Sequence, residues 1–271
     1  MKSKDYKIPA LLRAHEILKY LLENGEASFT EIYTALGHPK SSAYKMISTL
    51  ESLGYIRNVG GGSNYCLGFT LLEMGSHAAS QVDMFTEARP LVKKLSMETQ
   101  RTCHVGIFDS NEVVYVIKEN THCLIHLDTW VGKRIPFYCS AMGKALLAWQ
   151  DEHYALNLIE QTYFEPIGPN TITDKQVFID SLSEIRQRGW AVDDEESAKM
   201  VRCIAAPVWN QTGEVCAAIG VSTLTELDSY EEMLAITSKV LAFAKEISQK
   251  MGSGNNMPAR SGIAPAADEI N

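Results

Sequence analysis

Apolar residues recur at helical spacing in three stretches of the N-terminal part of the chain. The first stretch predicts a helix that begins at Pro9, a residue suited to a first helical turn, and stops at Gly25. A second helix is predicted to start at Ser28, because Ser28 and Glu31 have the spacing of a capping box, in which each side chain accepts a hydrogen bond from the other residue's backbone N–H. Residues 37–39, Gly-His-Pro, then interrupt the pattern.

A third helix follows this break and leads into a hairpin. Its apolar positions, at residues 43, 46, 47, 50 and 53, form one stripe that belongs in a core, and Gly54 fits the end of the helix. Residues 55–57 and 65–67 are predicted as two paired strands around the glycine tip at 60–62. Three helices followed by a glycine-tipped hairpin form the outline of a winged helix-turn-helix, which predicts DNA binding.

The face of the third helix opposite the apolar stripe carries hydroxyl groups, a phenol and cations. Such groups hydrogen-bond phosphates and base edges when the start of a helix enters the major groove. An ordinary amphipathic helix with a solvated face is the alternative, and the hairpin that follows in register favours DNA. The predicted DNA-binding residues are Lys40, Ser41, Ser42, Tyr44, Lys45, Ser48 and, on the hairpin, Arg57.

The rest of the chain mixes the two periodicities. Strands, then helices, then strands is the order of an α+β domain with a mostly antiparallel sheet. The last twenty residues have too little apolar periodicity to fold and are predicted to be disordered. Helices are predicted at 70–82, 85–99, 140–149, 152–161, 174–188 and 228–251, and strands at 103–109, 113–119, 122–128, 201–209 and 215–223.

Charge is unevenly distributed along the chain. The net charge of −8 argues against a uniformly basic nucleic-acid binder. Through Thr70, however, eight Lys and Arg residues stand against six Asp and Glu residues, which gives this part +2 and leaves −10 for the remainder. The difference predicts a small DNA-reading head attached to an acidic body.

Length and composition set further bounds. A chain of 271 residues exceeds the size at which one core usually stops growing, so two domains are expected, and 45% hydrophobic residues suffice for two cores. Apolar runs such as residues 215–224 are too short to span a bilayer, and the N-terminal sequence has no signal-peptide apolar region. Six cysteines without CxxC spacing predict reduced thiols. A cytoplasmic protein with no membrane partner is expected.

Two later segments complete a resemblance to a known family. They are RIPFYCSAMGKALLAW at 134–149 and GWAVDDEESAKMVRCIAAPVWN at 189–210. With the head, they resemble the IclR family of bacterial transcription regulators, nearer to its sugar-acid regulators. The resemblance implies an α+β chain with a winged helix-turn-helix (1–69), a linker helix (70–85), a GAF-like effector domain with a mainly antiparallel sheet (86–251) and a disordered tail (252–271). It also implies a homodimer or a dimer of dimers on double-stranded operator DNA.

The resemblance also implies an effector site. A small carboxylate suits the predicted helix start at 140–143, where backbone N–H groups and the positive end of the helix dipole favour an anion. Asp193 and Ser222 are expected to hydrogen-bond ligand hydroxyls. The alternative is structural, with Ser140 only a cap, Cys203 a small buried residue and Asp193 part of a solvated acidic run. The family positions for effector contact match Ala141, Met142, Gly143, Asp193, Cys203, Gly220 and Ser222.

This chain departs from the family pattern at three positions. Met200 stands where the family commonly has glycine, and Gly220 stands where it often has serine. In the predicted DNA-reading helix the frequent arginine is Lys45. The first two departures affect the expected effector pocket, and the third affects the expected DNA contact.

Three other groups of residues could carry chemistry. His122 and His126 flank Cys123 and could hold a metal, although on a strand the cysteine points away from the histidines. Cys203 or Cys139 with His104 could form a nucleophile and base, but no activating motif surrounds either thiol. The adjacent carboxylates Glu195 and Glu196 are interpreted as a solvated turn.

The sequence therefore predicts a ligand-responsive transcriptional regulator, a repressor of a catabolic operon, and not an enzyme. Its effector is expected to be a small carboxylate such as a sugar acid. No cofactor and no metal are predicted. The alternative is a cytoplasmic thiol-dependent or ligand-binding enzyme on a GAF-like domain.

Overall fold

The computed structural model describes residues 7–61, 63–80, 83–120 and 127–253. The chain divides into two compact units, residues 1–82 and residues 83–271. Of the tail predicted at 252–271, only residues 252 and 253 are among the described residues. No helix in the described ranges is long and apolar enough to cross a membrane.

The N-terminal unit is a winged helix-turn-helix, as the sequence predicts. The capping box is present: Ser28 N–H donates to Glu31 Oε2 at 2.7 Å, and Glu31 N–H donates to Ser28 Oγ at 3.3 Å. A short first strand, which the sequence pattern did not indicate, pairs with the hairpin and gives the strand order β1-β3-β2. The elements are α1 Pro9–Asn24, β1 Glu26–Ser28, α2 Phe29–Ala35, α3 Lys40–Ser52, β2 Ile56–Asn58, β3 Asn64–Leu67 and α4 Phe69–Ser80.

The apolar stripes of this unit meet in one core. Ile17 of α1, Ile32 of α2 and Ile47 of α3 are almost fully buried there, and Ile56 of β2 packs against them. The backbone crosses itself closely beside this core, because a Cβ on Gly68 would lie 2.0 Å from the carbonyl oxygen of Gly54. Gly54 itself has a φ of 72°, in the left-handed region that suits glycine after the end of a helix.

The second unit is built on a six-stranded sheet in the order β6-β5-β4-β9-β8-β7, and each described strand pair is antiparallel. This confirms the predicted α+β class with an antiparallel sheet. The elements are α5 Asp83–Thr99, β4 Thr102–Asp109, β5 Glu112–Glu119, β6 Arg134–Pro136, a 3-10 turn Phe137–Cys139, α6 Ala141–Leu147, α7 Glu152–Gln161, α8 Lys175–Arg188, β7 Ala191–Asp194, β8 Val201–Trp209, β9 Val215–Leu224, α9 Tyr230–Ala235 and α10 Thr237–Lys250.

Helices cover both faces of this sheet. On one face, α5 and α10 pack against strand residues such as Ile204 and Ile219. On the other face, α6 packs over the small residues Ala205 and Ala218, with α7 and α8 behind it. Alternate residues of one strand therefore serve two different cores, and small residues on the second face let α6 approach the sheet closely.

Two predicted elements of the second unit differ from the structure. In the predicted strand 122–128, residues 122–126 lie outside the described residues, and residues 127–128 are not a strand. There the carbonyl of Leu127 accepts from Lys118 Nζ, at 3.2 Å, rather than from a strand partner, and β6 pairs with β5 instead. The sequence analysis also missed β7. The predicted helix 228–251 begins only at Tyr230, because Asp228 binds Arg101 and Thr223 while Ser229 caps α9, and it is divided at Ile236 into α9 and α10.

Candidate functional site

The polar face of α3 is open to solvent in the N-terminal unit. Its Lys40, Ser41, Tyr44, Lys45 and Ser48 are exposed, whereas Ser42 is half-buried. Tyr44 is 66% exposed, and its ring edge leans on Phe29 of α2 with centroids 6.1 Å apart, which steadies the phenol at the surface. The structure thus brings six of the predicted DNA-binding residues together on one helix.

Two further features shape this surface. The start of α3 has no side-chain cap and no acidic residue in its first turn, so the positive end of the helix is not neutralised by its own side chains. Such a helix start accommodates a phosphate. On β2, the guanidinium of Arg57 lies 5.2 Å from the ring centroid of Phe69, so this exposed cation is steadied by a cation–π contact at the start of α4.

A small cavity lies in the second unit between α6, the sheet and the segment after β7. Six of the seven predicted effector residues line it: Ala141, Met142, Asp193, Cys203, Gly220 and Ser222. Ser140, which the sequence analysis placed at the expected helix start, also lines the cavity, together with four residues that it did not name: Tyr115, Ser197, Ile204 and Ala205. Their contribution depends on strand register and on the turn after β7, which a linear pattern does not reveal.

The seventh predicted residue, Gly143, does not line the cavity. A Cβ at this position would lie 2.3 Å from the carbonyl oxygen of Phe137 and 2.4 Å from its Cα. The glycine therefore allows α6 to pack against the 3-10 turn. Gly143 N–H also donates to Ser140 Oγ at 3.1 Å, so Ser140 is the N-cap of α6 as well as a cavity residue.

Met142 fills most of the space above the sheet. Its Sδ lies 2.9 Å from where a Cβ on Gly106 would be, and its Cε lies 3.0 Å from where a Cβ on Gly220 would be. The free volume left is about 10 Å³, which is room for about one water molecule. A ligand with several carbon atoms therefore does not fit while Met142 holds this conformation.

Asp193 is buried and already holds the turn that follows β7. Its Oδ1 accepts from the backbone N–H of Glu196 at 2.7 Å and of Ser197 at 3.2 Å, and its Oδ2 accepts from Ser197 Oγ. Burial raises the pKa of Asp193, while the bonds from Ser197 and Glu196 oppose that rise. Asp193 is thus part of a built wall of the cavity rather than of a solvated acidic run.

The interpretation of Glu195 and Glu196 as a solvated turn was wrong for Glu196, which is only 7% exposed. Both carboxylate oxygens of Glu196 accept from the Nζ of Lys144 on α6, with the Oε2 contact at 2.6 Å. Lys144 is 3% exposed, so this ion pair is buried. Burial raises the pKa of Glu196 to about 7, although Lys144 opposes the rise. Nothing in the local sequence indicated this pair, because its members are 52 positions apart.

The turn also contains a strained backbone at Met200, whose φ is 66°. A methionine rarely adopts this left-handed conformation, which glycine adopts at no steric cost. The glycine that the resemblance led us to expect at this position suits that backbone. In this chain Met200 N–H donates to Glu195 Oε2 at 2.8 Å, a contact that helps to hold the strained residue.

The thiols of this unit lack the features of nucleophiles. Burial raises the pKa of Cys139 to about 12, and burial followed by the nearby Asp193 raises the pKa of Cys203 well above its usual value. The Sγ of Cys203 instead lies 3.2 Å from Ser222 Oγ across β8 and β9. The five described cysteines are free thiols. A thiolate is therefore strongly disfavoured at Cys139 and at Cys203, in agreement with the absence of an activating motif around either thiol.

The residues His122, Cys123 and His126, which the sequence analysis considered as metal ligands but did not predict as a site, lie outside the described residues. Within the described ranges, no group of three or more His, Cys, Asp or Glu side chains is arranged to hold a metal ion.

Comparison with known proteins places both units in one family. Residues 10–60 match the IclR helix-turn-helix domain, and residues 76–249 match the family described as bacterial transcriptional regulator IclR C-terminal. The chain is 36% identical over 248 residues to the HTH-type transcriptional regulator RhmR of Escherichia coli K12, covering 91% of this chain and 94% of that protein. It is 31% identical over 245 residues to the regulator KdgR of the same organism, covering 90% and 93%.

Solved structures agree with the fold. The crystal structure of Thermotoga maritima IclR superposes with a TM-score of 0.74 at 29% identity, covering 89% of this chain and 98% of that chain. The C-terminal domain of E. coli KdgR superposes with a TM-score of 0.57 at 30% identity, covering 63% and 99%. These relatives are transcriptional regulators rather than enzymes.

Proposed function

The chain belongs to the IclR family of bacterial transcriptional regulators, and from this premise we propose that it is a cytoplasmic repressor of a catabolic operon whose effector is a small carboxylate such as a sugar acid. The observation that carries the proposal is the cavity beside α6, where hydroxyl, carboxyl and apolar groups meet within the effector unit. An effector that binds one conformation of the protein more tightly than another would shift the equilibrium toward that conformation. The shift would change the fraction of molecules whose two DNA-binding heads are spaced to fit the two operator half-sites.

The effector is proposed to place its carboxylate near Ser140 and Met142, at the start of α6. Its hydroxyls would then meet Ser222 and the remaining acceptor capacity of Asp193, since each carboxylate oxygen has two lone pairs. Cys203 and the glycine at 220 would contribute shape rather than charge.

The α3 face is proposed to read the major groove. We expect Lys45→Ala to weaken binding to the DNA upstream of the chain's own gene, and Tyr44→Ala or Ser42→Ala to change base preference, each by about 1–3 kcal/mol for a good base contact. A gel-shift assay with point-mutated operators measures both the affinity and the base preference. The same assay is repeated with aldonic acids to detect release of the operator by the effector.

The control for this prediction is Lys245→Ala, which removes the same charge from an exposed position on α10. It should leave specific binding close to that of the parent. If all three α3 variants remain folded and bind specific DNA like the parent, α3 is not the reading helix.

A homodimer is proposed from the exposed apolar residues of the N-terminal unit. Leu11 on α1 and Leu72 on α4 are each 65% exposed, and Phe69 on α4 is 70% exposed. Exposed apolar side chains in such number are typical of a protein–protein interface. One head with a net charge near +2 also offers few phosphate contacts, so paired heads on two half-sites are needed for useful affinity.

We expect Leu11→Asp combined with Leu72→Asp to weaken dimerisation by roughly 100-fold or more, because burying each leucine contributes about 1.5–3 kcal/mol and the two contributions add. Sedimentation velocity over a range of concentrations measures the change. Val177→Asp, at an exposed apolar position on α8, is the matched control and should leave the dimer intact. A parent protein that is monomeric at micromolar concentration and still protects a full operator would exclude the dimer.

A further inference from the structure

His104 on β4 is a fully buried polar group that neither the family resemblance nor the predicted site includes. Its Nε2 lies 2.9 Å from Thr129 Oγ1, and its ring stacks on Tyr115 with centroids 4.3 Å apart. Its Nδ1 has no hydrogen-bond partner within the part of the chain that the structure describes. Buried polar atoms in folded proteins are nearly always paired, so this nitrogen calls for an explanation.

The position of His104 connects it with the cavity. Gly106 is two residues further along β4 and therefore on the same face of the sheet, and Gly220 on β9 is the register partner of His104. Both glycines lie under the Met142 side chain, below its Sδ and Cε respectively. Tyr115, which stacks on the His104 ring, lines the cavity directly. His104 thus lies on the same face of the sheet as the two glycines under Met142, stacked on a residue of the cavity wall.

Met142 is suited to leave that space. It has the longest unbranched side chain among the residues that line the cavity, and methionine changes rotamer at low cost. The other walls at this point are strand backbone and the two glycines, which have no side chain to move. A rotamer change of Met142 would open a trough over Gly106 and Gly220 that leads to His104.

We propose that His104 Nδ1 is the hydrogen-bond partner of one hydroxyl group of the effector, reached through the trough that Met142 vacates. The inference rests on the proposed effector class and adds a specificity residue to it. A hydroxyl suits the site better than a carboxylate because the tautomer of His104 is set by Thr129, whose own hydroxyl can donate or accept. A hydroxyl matches Nδ1 in either tautomer, whereas a carboxylate matches only N–H.

The protonation state of His104 agrees with this role. Burial, followed by the nearby charges of Lys118 and Lys133, lowers the pKa of His104 to about 3. The imidazole is therefore neutral under ordinary conditions, and it offers one nitrogen to Thr129 and the other to the ligand.

The test compares two variants that each keep one half of the imidazole. His104→Gln places an amide near the position of Nε2 and loses the polar atom at Nδ1. His104→Asn places an amide near the position of Nδ1 and loses the polar atom at Nε2. Calorimetry would use D-gluconate, D-galactonate and D-xylonate, followed by the monodeoxy analogues of the aldonate that binds most tightly. We expect one monodeoxy analogue to bind the parent at least about fivefold more weakly, and this difference to disappear in His104→Gln and persist in His104→Asn.

Other results would overturn the assignment. Equal losses for the aldonate and all its monodeoxy analogues in His104→Gln would show a role in packing alone. If the parent binds an aldonate and His104→Gln keeps the full preference for the aldonate over its monodeoxy analogue, His104 does not contact the hydroxyl. The proposed effector class would then still hold. A parent that binds none of the three aldonates would reject the sugar-acid class and this inference with it.

If neither variant folds, the parent still tests the proposal. The ¹⁵N chemical shift of His104 Nδ1 is expected to move on addition of the bound aldonate and to stay in place with the deoxy analogue that lacks the contacting hydroxyl. An Nδ1 signal that responds equally to both ligands would contradict the contact.

Discussion

Lys144→Met is expected to lower the free energy of unfolding by about 3–5 kcal/mol, the usual cost of leaving one member of a buried ion pair without its partner. Methionine keeps most of the apolar length of lysine, so the loss is due to the charge rather than to packing. The carboxylate of Glu196 would then remain buried beside Asp193 with no cation. Urea denaturation followed by circular dichroism measures the difference.

The loss should depend on pH in a defined direction. Burial already raises the pKa of Glu196 from 4.5 to about 7 with Lys144 in place. A carboxyl with a raised folded-state pKa takes up a proton on folding, so its contribution to stability falls as pH rises from about 4.5 to about 7. Because Lys144 opposes the rise, its removal extends this fall to higher pH. The variant should therefore lose less stability at about pH 5 than at about pH 8.

The control is the double variant Lys144→Met with Glu196→Met. Replacement of a whole buried ion pair by apolar residues is often neutral, so the double variant should recover much of the stability that the single variant loses. Such a recovery would show that the cost lies in the unpaired charge. A single variant as stable as the parent at about pH 8 would mean that the pair does not hold α6 to the turn after β7.

The head could be predicted closely from the sequence because its signals are local. The capping box at Ser28 and Glu31, the stop at Gly25 and the stripe of α3 each depend on residues within one or two helical turns of each other. The three-residue strand β1 was missed, because a strand so short has no alternation to detect and exists only through its pairing with β3.

The effector unit could be predicted in its main hairpins but not in its cavity. The turn at Ser110 and Asn111 has positive φ at both residues and joins the strands that the sequence predicts at 103–109 and 113–119. The edge strand β6, the buried pair of Lys144 and Glu196 and the isolated Nδ1 of His104 all result from contacts between distant segments. Residue type alone suggested that Glu196 was solvated, and tertiary burial overrode that suggestion.

The resemblance supplied the residues of the proposed effector site, whereas the structure supplies their spatial relation. Six of seven positions meet around one cavity, and Gly143 serves the packing of α6 instead. The sequence could not show that Met142 occupies this space. The cavity holds about one water molecule in its present form, so the proposed effector requires a rearrangement there, for which Met142 is the residue we propose.

Met142→Glu is expected to remove most of the affinity for acidic effectors while DNA binding without effector is kept. Two like charges about 4 Å apart repel by about 4 kcal/mol at an effective dielectric constant of about 20, which corresponds to roughly a thousandfold loss. Burial and the adjacent Asp193 would raise the pKa of the new carboxyl, so calorimetry should be done at about pH 8, where it is charged.

Met142→Gln is the matched control, because glutamine has the same shape as glutamate and no charge. It should bind the aldonates far more tightly than Met142→Glu does, and Ser222→Ala should weaken them by only about 0.5–1.5 kcal/mol through the loss of one hydrogen bond. A glutamate variant with unchanged affinity for the acids would place the effector elsewhere. Neutral sugars that bind the parent as tightly as the matching acids would show that no carboxylate is recognised beside α6, because the charge of the ligand would then make no difference to its affinity.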